Sequence, residues 1–272
     1  MAPIHAYLYT DPACPWSWAL EPALRRLEVE FAKSLVVTPV MGGLARAFGP
    51  ALSVIGEWLD AGAASGMPVD ARLWIGSPPA SSYPACLAVN AAGEQGPEAQ
   101  GAYLRVLRQG FACDRRKLDG SEALLDAARL VPGMDVARLR VDLGSNATAE
   151  LLGADLERAG AAGARAGVSG RVPLPSLEFV GGGGEVVNGV YGFGSYEACR
   201  DAAVAAGAVV SGGRATLSVE DALRRFGVMA TPEVAAVCDL PGPRAAAELW
   251  RLAAEWRVRV DRRVGGELWA LA

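Results

Sequence analysis

The sequence predicts an α/β chain with a separate α+β tail, on three observations. A β-rich segment at residues 4–10 runs through a two-proline turn into an amphipathic helix and a second strand at 34–41. A long Ala- and Leu-rich stretch, about 50–166, has helical spacing and no convincing strand. Strand character then returns at 176–180, passes four glycines and runs back along 185–190 into another helix.

Each element has a local reason. Ile4 to Thr10 is β-branched or aromatic at most positions, and Asp11-Pro12-Ala13-Cys14-Pro15 closes it as a turn. Leu20, Leu24, Leu27 and Phe31 are spaced four, three and four apart, one apolar face of a single helix. Residues 34–41 form the next strand, closed by Gly42-Gly43. Within 50–166, breaks at Gly66-Met67-Pro68, Ser77-Pro78-Pro79, Gly93 to Pro97 and Pro132-Gly133 predict four to six helices. Gly181 to Gly184 is a hairpin turn rather than a phosphate loop, because a strand follows it and no Lys-Ser/Thr does.

The tail predicts a helix at about 218–226, a second begun by Thr231 as N-cap with Pro232 in the first turn, a third at about 244–256, and a closing hairpin. Three short helices and a hairpin resemble a winged helix. The expected boundary is Ser211-Gly212-Gly213, dividing a domain of residues 1–210 from a module of residues 214–272.

Composition excludes several functions. The 272 residues are 51% hydrophobic and 21% charged, which is globular composition rather than disorder. The net charge of −4 argues against whole-molecule attraction to nucleic acid or anionic membrane. Residues 214–272 hold nine Arg and eight acidic residues, a net of 9 − 8 = +1, so a groove-reading third helix is not expected. Apolar runs are too short for a membrane span, and the N-terminus reads as a strand rather than a leader, so a cytoplasmic location is expected. Five scattered cysteines (14, 86, 113, 199 and 238) form no CxxC pair and no disulfide framework. With His5 the only histidine, a histidine-rich metal site is excluded and Cys–His catalysis would have to use His5.

Cys14 carries the sharpest chemical signal. It sits between a strand and a helix start, where free N–H groups and the helix dipole favour a thiolate. The second signal is Arg171-Val172-Pro173-Leu174-Pro175-Ser176, directly before a strand. A cis bond before either proline would turn the backbone sharply; Pro175 is favoured because it adjoins the strand.

Together these residues resemble the thioredoxin fold with a helical insertion, in its DsbA-like branch that includes the FrnE-type dithiol–disulfide isomerases. The resemblance covers about residues 4–205 and rests on Asp11-Pro12-Ala13-Cys14-Pro15-Trp16-Ser17-Trp18, Pro175-Ser176-Leu177-Glu178-Phe179, Ala85 to Ala92 and Tyr103-Leu104-Arg105. Asp11-Pro12, Glu21-Pro22 and Met229 to Val234 are also similar to a cytosolic subgroup related to ClpXP adaptor proteins. The resemblance implies Cys14 as the attacking thiol, Ser17 orienting its sulfur, Pro175 as the flanking cis-proline, and Pro15, Trp16 and Leu174 as the substrate-contacting surface. It departs at Ser17, where oxidoreductases of this family have a second cysteine. A hydroxyl cannot resolve a mixed disulfide, so a two-cysteine shuttle within this motif is chemically excluded. The leading expectation is thiol–disulfide exchange through Cys14 alone. The alternatives are a non-catalytic adaptor presenting proteins to a protease, with a protein partner engaged through the tail, and a glutathione-dependent isomerase or transferase. No cofactor is expected to be bound permanently; glutathione or another small thiol is the expected transient ligand.

Overall fold

The computed structural model describes residues 3–211 and 216–272. The two glycines of the boundary expected at Ser211-Gly212-Gly213, and the first two residues of the expected tail module, lie outside the described residues.

Strand β1 (Ile4–Thr10) leads through the proline turn into helix α1 (Pro15–Ala19) and then α2 (Glu21–Phe31). The single helix expected here is broken at Leu20, because Pro22 lies in the first turn of α2 and has no N–H to continue the α1 ladder. Strand β2 (Leu35–Met41) follows.

The insertion comprises α3 (Ala51–Ser65), α4 (Leu73–Gly76), α5 (Tyr83–Gly93), α6 (Pro97–Ala112), α7 (Ser121–Ala128), α8 (Val136–Leu143) and α9 (Asn146–Arg165). That is more than the four to six expected. One extra element is the single turn α4, too short to show a period. Another arises from the break between α8 and α9, where Ser145 Oγ accepts the Thr148 amide hydrogen bond and starts a new helix. Strands β3 (Ser176–Val180) and β4 (Val186–Tyr191) and helix α10 (Tyr196–Ala205) complete the domain.

The sheet order is β2-β1-β3-β4, with β1 parallel to β2 and antiparallel to β3. This is a thioredoxin-like sheet with the helical insertion between β2 and β3. Alternation along β1 sorts the two faces. Ala6 and Leu8 pack with Leu27 and Phe31 of α2 and Cys199 and Ala203 of α10. Tyr9 faces the other way, packing with Val40, Leu174, and Ala159 and Ala162 of α9. The insertion has its own core around Trp58, Trp74, Tyr103 and Phe111, into which Trp18 also projects.

The tail is ordered α11 (Val219–Phe226), β5 (Met229–Ala230), α12 (Thr231–Cys238), α13 (Arg244–Ala254), β6 (Val258–Arg263) and β7 (Gly266–Leu271), with strand order β5-β7-β6. This is the element order of a winged helix. The N-cap of α12 is Ala230, not Thr231. The Glu233 carboxylate takes the Ala230 amide at 2.7 Å, while the Thr231 hydroxyl is turned to accept from Trp269 Nε1 at 2.9 Å. Helix α13 ends at Ala254, two residues short of expectation, with Trp256 at φ 59° and no longer helical.

The tail module is built into the molecule. Helix α12 packs along α2, whose Val29 enters the tail's core. The β6–β7 turn, the wing, rests on the insertion, where Val69 N donates to Val264 O at 3.2 Å and Arg263 pairs with Asp114 at 3.1 Å. Gly265 adopts φ +79°, and a side chain there would meet the Val69 backbone at 3.4 Å. Among the described residues no helix is long and apolar enough to cross a membrane.

Candidate functional site

Sheet register brings the two chemical signals together. Tyr9 pairs with Ser176, so the end of β1 lies beside the start of β3. Cys14 lies four residues past β1 and the Leu174–Pro175 peptide, which is cis, immediately precedes β3. The two loops therefore meet at one edge of the sheet.

Cys14 is the N-cap of α1. The Ser17 amide donates to Cys14 Sγ at 3.4 Å, and the thiol donates to the Leu174 carbonyl oxygen at 3.6 Å. The turn before it is held by Asp11, whose carboxylate accepts from the amides of Ala13 and Leu44, at 2.8 and 2.6 Å, and from the Ser82 hydroxyl at 2.7 Å. Cys86 also donates to Asp11, at 3.1 Å.

The electrostatics differ from the sequence expectation. Cys14 is only 1% exposed and packs with Tyr9, Val40, Ala159, Val172 and Leu174. Burial pushes its thiol above the ordinary value, and Ser17 opposes that rise without reversing it. A five-residue helix supplies too little field to offset the loss of solvent. The thiol is neutral near pH 7 rather than a ready nucleophile. Ser17 is buried as well, and its hydroxyl, like its amide, favours the charged form of the Cys14 sulfur.

The expected substrate-contacting residues divide. Pro15 is buried, and Leu174 is buried with its side chain against Gly42. Trp16 is half-exposed, donates from Nε1 to Glu57 at 2.7 Å, and stands 5.2 Å, centroid to centroid, from the exposed ring of Phe193. Phe193 also borders a cleft of about 860 Å³ between α2, the β4–α10 loop and α12, with Leu20, Pro22, Ala23, Ala235 and Pro241 among its walls. Cys14 is not among the residues lining that cleft. His5 is exposed at the start of β1, at the far end of the strand from Cys14. Trp18 is fully buried and donates to the Pro68 carbonyl at 3.0 Å.

Sequence reasoning missed a buried ionic cluster joining the three parts of the chain. Glu21 of α2 pairs with Arg108 of α6, which also donates to Thr10 Oγ1. Glu233 of α12 accepts from Arg105 of α6 at 2.7 Å and lies 3.5 Å from Arg25. Arg105 also stands 4.3 Å over the Trp18 ring. Burial alone would raise the Glu21 carboxyl, but Arg108, Arg105 and Arg25 hold it down at about 2. Glu21, Arg105 and Glu233 each fall in a segment that carried the family resemblance. The physical signal was a charge on the apolar face of a helix, which single-chain periodicity cannot pair with its partner.

Comparison with known proteins agrees with this architecture. A family model described as thioredoxin matches residues 7–164. A ClpXP adapter protein, SpxH, of Halalkalibacterium halodurans is 30% identical over 165 residues, 57% of this chain and 54% of that protein. The SpxH of Shouchella clausii is 26% identical over 98% of this chain and 88% of that protein. The matched segment spans about half the length of the first of these relatives. A solved structure from Nitrosomonas europaea, described as a candidate protein disulfide isomerase, superposes with a TM-score of 0.62 at 19% identity, covering 73% of this chain and 95% of that one. With more than half of its length matched by that model, on a sheet of this order, the chain belongs to the thioredoxin family.

Proposed function

We propose that this chain is a protein-binding adaptor on a thioredoxin scaffold, presenting protein substrates to a protease. The observation that carries the reading is the state of Cys14. Its sulfur is buried among apolar side chains, its proton is held by loss of solvent, and the position of a resolving thiol is taken by Ser17. A site of this kind keeps the scaffold and lacks the reactive thiolate that exchange requires. The similarity to ClpXP adapter proteins supports the same reading. So does the fixed tail, which with α2 frames a cleft bordered by Phe193 whose lining does not include Cys14.

The test uses a proteolytically inactive ClpP chamber as a trap in cells of the source organism. Proteins retained in the trap are compared with the wild-type chain, with Cys14→Ala and without the chain. A set of proteins that depends on the chain and is unchanged by Cys14→Ala is the expected result. Retention that ignores the chain, or that requires the thiol, overturns it.

A second reading, monothiol exchange with a protein or small-thiol substrate, has one specific observation in its favour. Cys14 Sγ lies against the Leu174 carbonyl beside a cis-proline and receives the Ser17 amide, the neighbourhood an exchange thiol needs. It predicts transfer of glutathione from a glutathionylated peptide to the Cys14 sulfur, freeing the peptide thiol, with an added small thiol then releasing glutathione as its disulfide, by the wild type and not by Cys14→Ala. Equal rates for both would remove it.

A further inference from the structure

Helix α3 is apolar on both its inner and its outer side. Of its 15 residues only Glu57 and Asp60 are charged. Trp58 and Ala61 face inward and are buried in the core of the insertion or against it. The outer side carries Leu52, Gly56, Leu59 and Ala63, spaced four, three and four apart, one straight stripe along the helix. Leu52 is 83% exposed and Leu59 54%. A side chain at Gly56 would meet nothing within 4 Å. We propose that this outer face docks an amphipathic helix of a partner protein, apolar where it meets the stripe and bearing Lys or Arg along one edge. The inference deepens the adaptor reading, and rests on it for the partner being a protein presented for proteolysis.

Shape and charge carry the argument. A helix that is apolar all round is ordinarily covered on every side, and a contiguous exposed apolar stripe marks an interaction surface. Small residues alternate with leucines along it, so the ridge of a second helix can seat between Leu52 and Leu59, over Gly56. At 100° per residue Glu57 and Asp60 fall on the same flank of the stripe, while the other flank is Ile55 and Gly62, both uncharged. Asp60 has no hydrogen-bond or ion-pair partner among the described residues. Glu57 accepts from Trp16 Nε1 at 2.7 Å through one oxygen. That bond ties the acidic flank to the Trp16–Phe193 ring pair, so the docking face adjoins the exposed aromatic surface beside the Cys14 loop.

The charges select the occupant. An acidic flank beside an apolar stripe is complementary to a helix with cations on the matching edge, and it turns away nucleic acid and anionic lipid. A second copy of α3 fits less well. It holds no Lys or Arg for these carboxylates, and antiparallel pairing would set the acids of both copies on one flank.

The test titrates the full chain with a labelled helical peptide, leucine on one face and lysine along its edges, read by fluorescence anisotropy at physiological salt. The same peptide with glutamate for lysine is the control. Three variants run beside the wild type: Gly56→Arg, which sets a cation in the open centre of the stripe, Asp60→Lys, and Ala137→Arg, which makes a similar change of charge at an exposed position of α8. Gly56→Arg replaces a poor helix former, so its melting temperature is expected to be no lower than that of the wild type. The lysine peptide is expected to bind wild type and Ala137→Arg alike and to bind Gly56→Arg and Asp60→Lys about tenfold or more weakly. No saturable binding, equal affinity in wild type and Gly56→Arg, an equal loss in Ala137→Arg, or equally tight binding of the glutamate peptide overturns the proposal. So does a wild-type dimer that Gly56→Arg dissociates, which would give the face to a second copy. In the ClpP trap, the set of proteins retained with the wild-type chain is expected to be lost with Gly56→Arg. Retention of the same set by that variant removes this surface and leaves the adaptor reading standing. Retention that ignores the chain removes the adaptor reading, and the peptide titration then decides the surface on its own.

Discussion

Cys14 shows how burial decides the behaviour of a residue whose sequence position suggests the opposite. A helix start favours a thiolate by a modest electrostatic term, about 0.3–1 kcal/mol at exposed sites. Removal from water disfavours the charged form by more, and the thiol is pushed up. Iodoacetamide is therefore expected to modify Cys14 in the folded protein at pH 7 at least tenfold more slowly than in urea, as followed by mass spectrometry. A folded-state rate equal to or above the denatured rate would contradict the buried, neutral thiol. Ser17 gives a complementary prediction. Its hydroxyl is a hydrogen-bond partner of the Cys14 sulfur, so Ser17→Cys weakens one buried bond and is expected to lower stability by about 1 kcal/mol. The same substitution supplies the missing thiol three residues from Cys14 and is expected to confer insulin-reducing activity absent from the wild type. No gain in activity would mean that access, rather than the lack of a second thiol, silences the site.

At the scale of elements, the loop carrying the cis-proline is set by α9. Val172 N donates to Ala159 O at 3.0 Å, and the loop passes so close to Gly163 that a side chain there would collide with the Gly170 carbonyl oxygen. Gly163→Ala is expected to destabilise the fold by about 2 kcal/mol or more, in the range of overpacked cores, and to displace Leu174 from the Cys14 sulfur. Urea unfolding and a faster alkylation of Cys14 would register the two effects; wild-type stability would refute the close approach. The same scale explains which elements were readable. Strands β1, β2 and β3 and the breaks at Gly66, Pro78, Gly93 and Pro132 follow from alternation and from residues that stop a ladder. The break at Leu20 and the cap of α12 were not readable, because each depends on a competition. Pro22 interrupts an otherwise continuous apolar face, and Thr231 gives its hydroxyl to Trp269, which is adjacent only in the folded chain.

At the scale of the whole molecule, the Glu21–Arg25–Arg105–Arg108–Glu233 cluster fixes the tail to the thioredoxin domain and the insertion. Removing one member of a buried ion pair leaves its partner uncompensated, at a cost of roughly 3–5 kcal/mol. Glu233→Ala is accordingly expected to lower unfolding free energy by about that amount and to increase amide exchange across α11 to α13 more than across the sheet. Uniform exchange in the variant would show that the cluster does not hold the tail. Titration sets a pH window for the fold. Glu21 is held at about 2, below its ordinary 4.5, so its contribution is present above about pH 4.5 and is lost as pH falls toward 2. Burial holds Cys199 and Cys238 up at about 11 and Cys113 at about 12, so the folded state keeps these protons longer than the unfolded chain. Stability is then expected to decline as pH rises from about 9 toward 11–12, measured by urea melts across pH. A stability that keeps rising above pH 9 would contradict the buried thiols.

By itself the sequence determined the thioredoxin-like order of strands and helices, the place of the insertion, the winged-helix order of the tail, and the absence of a second cysteine beside Cys14. These are local facts, fixed by periodicity, by turn residues and by the identity of one side chain. Only the tertiary structure decided that the sulfur is sealed from water, that the wing is seated on the insertion, and that three distant segments share one buried ionic cluster. Solvent exclusion and charge pairing are properties of surfaces brought together from different parts of the chain, and no window of neighbouring residues contains them.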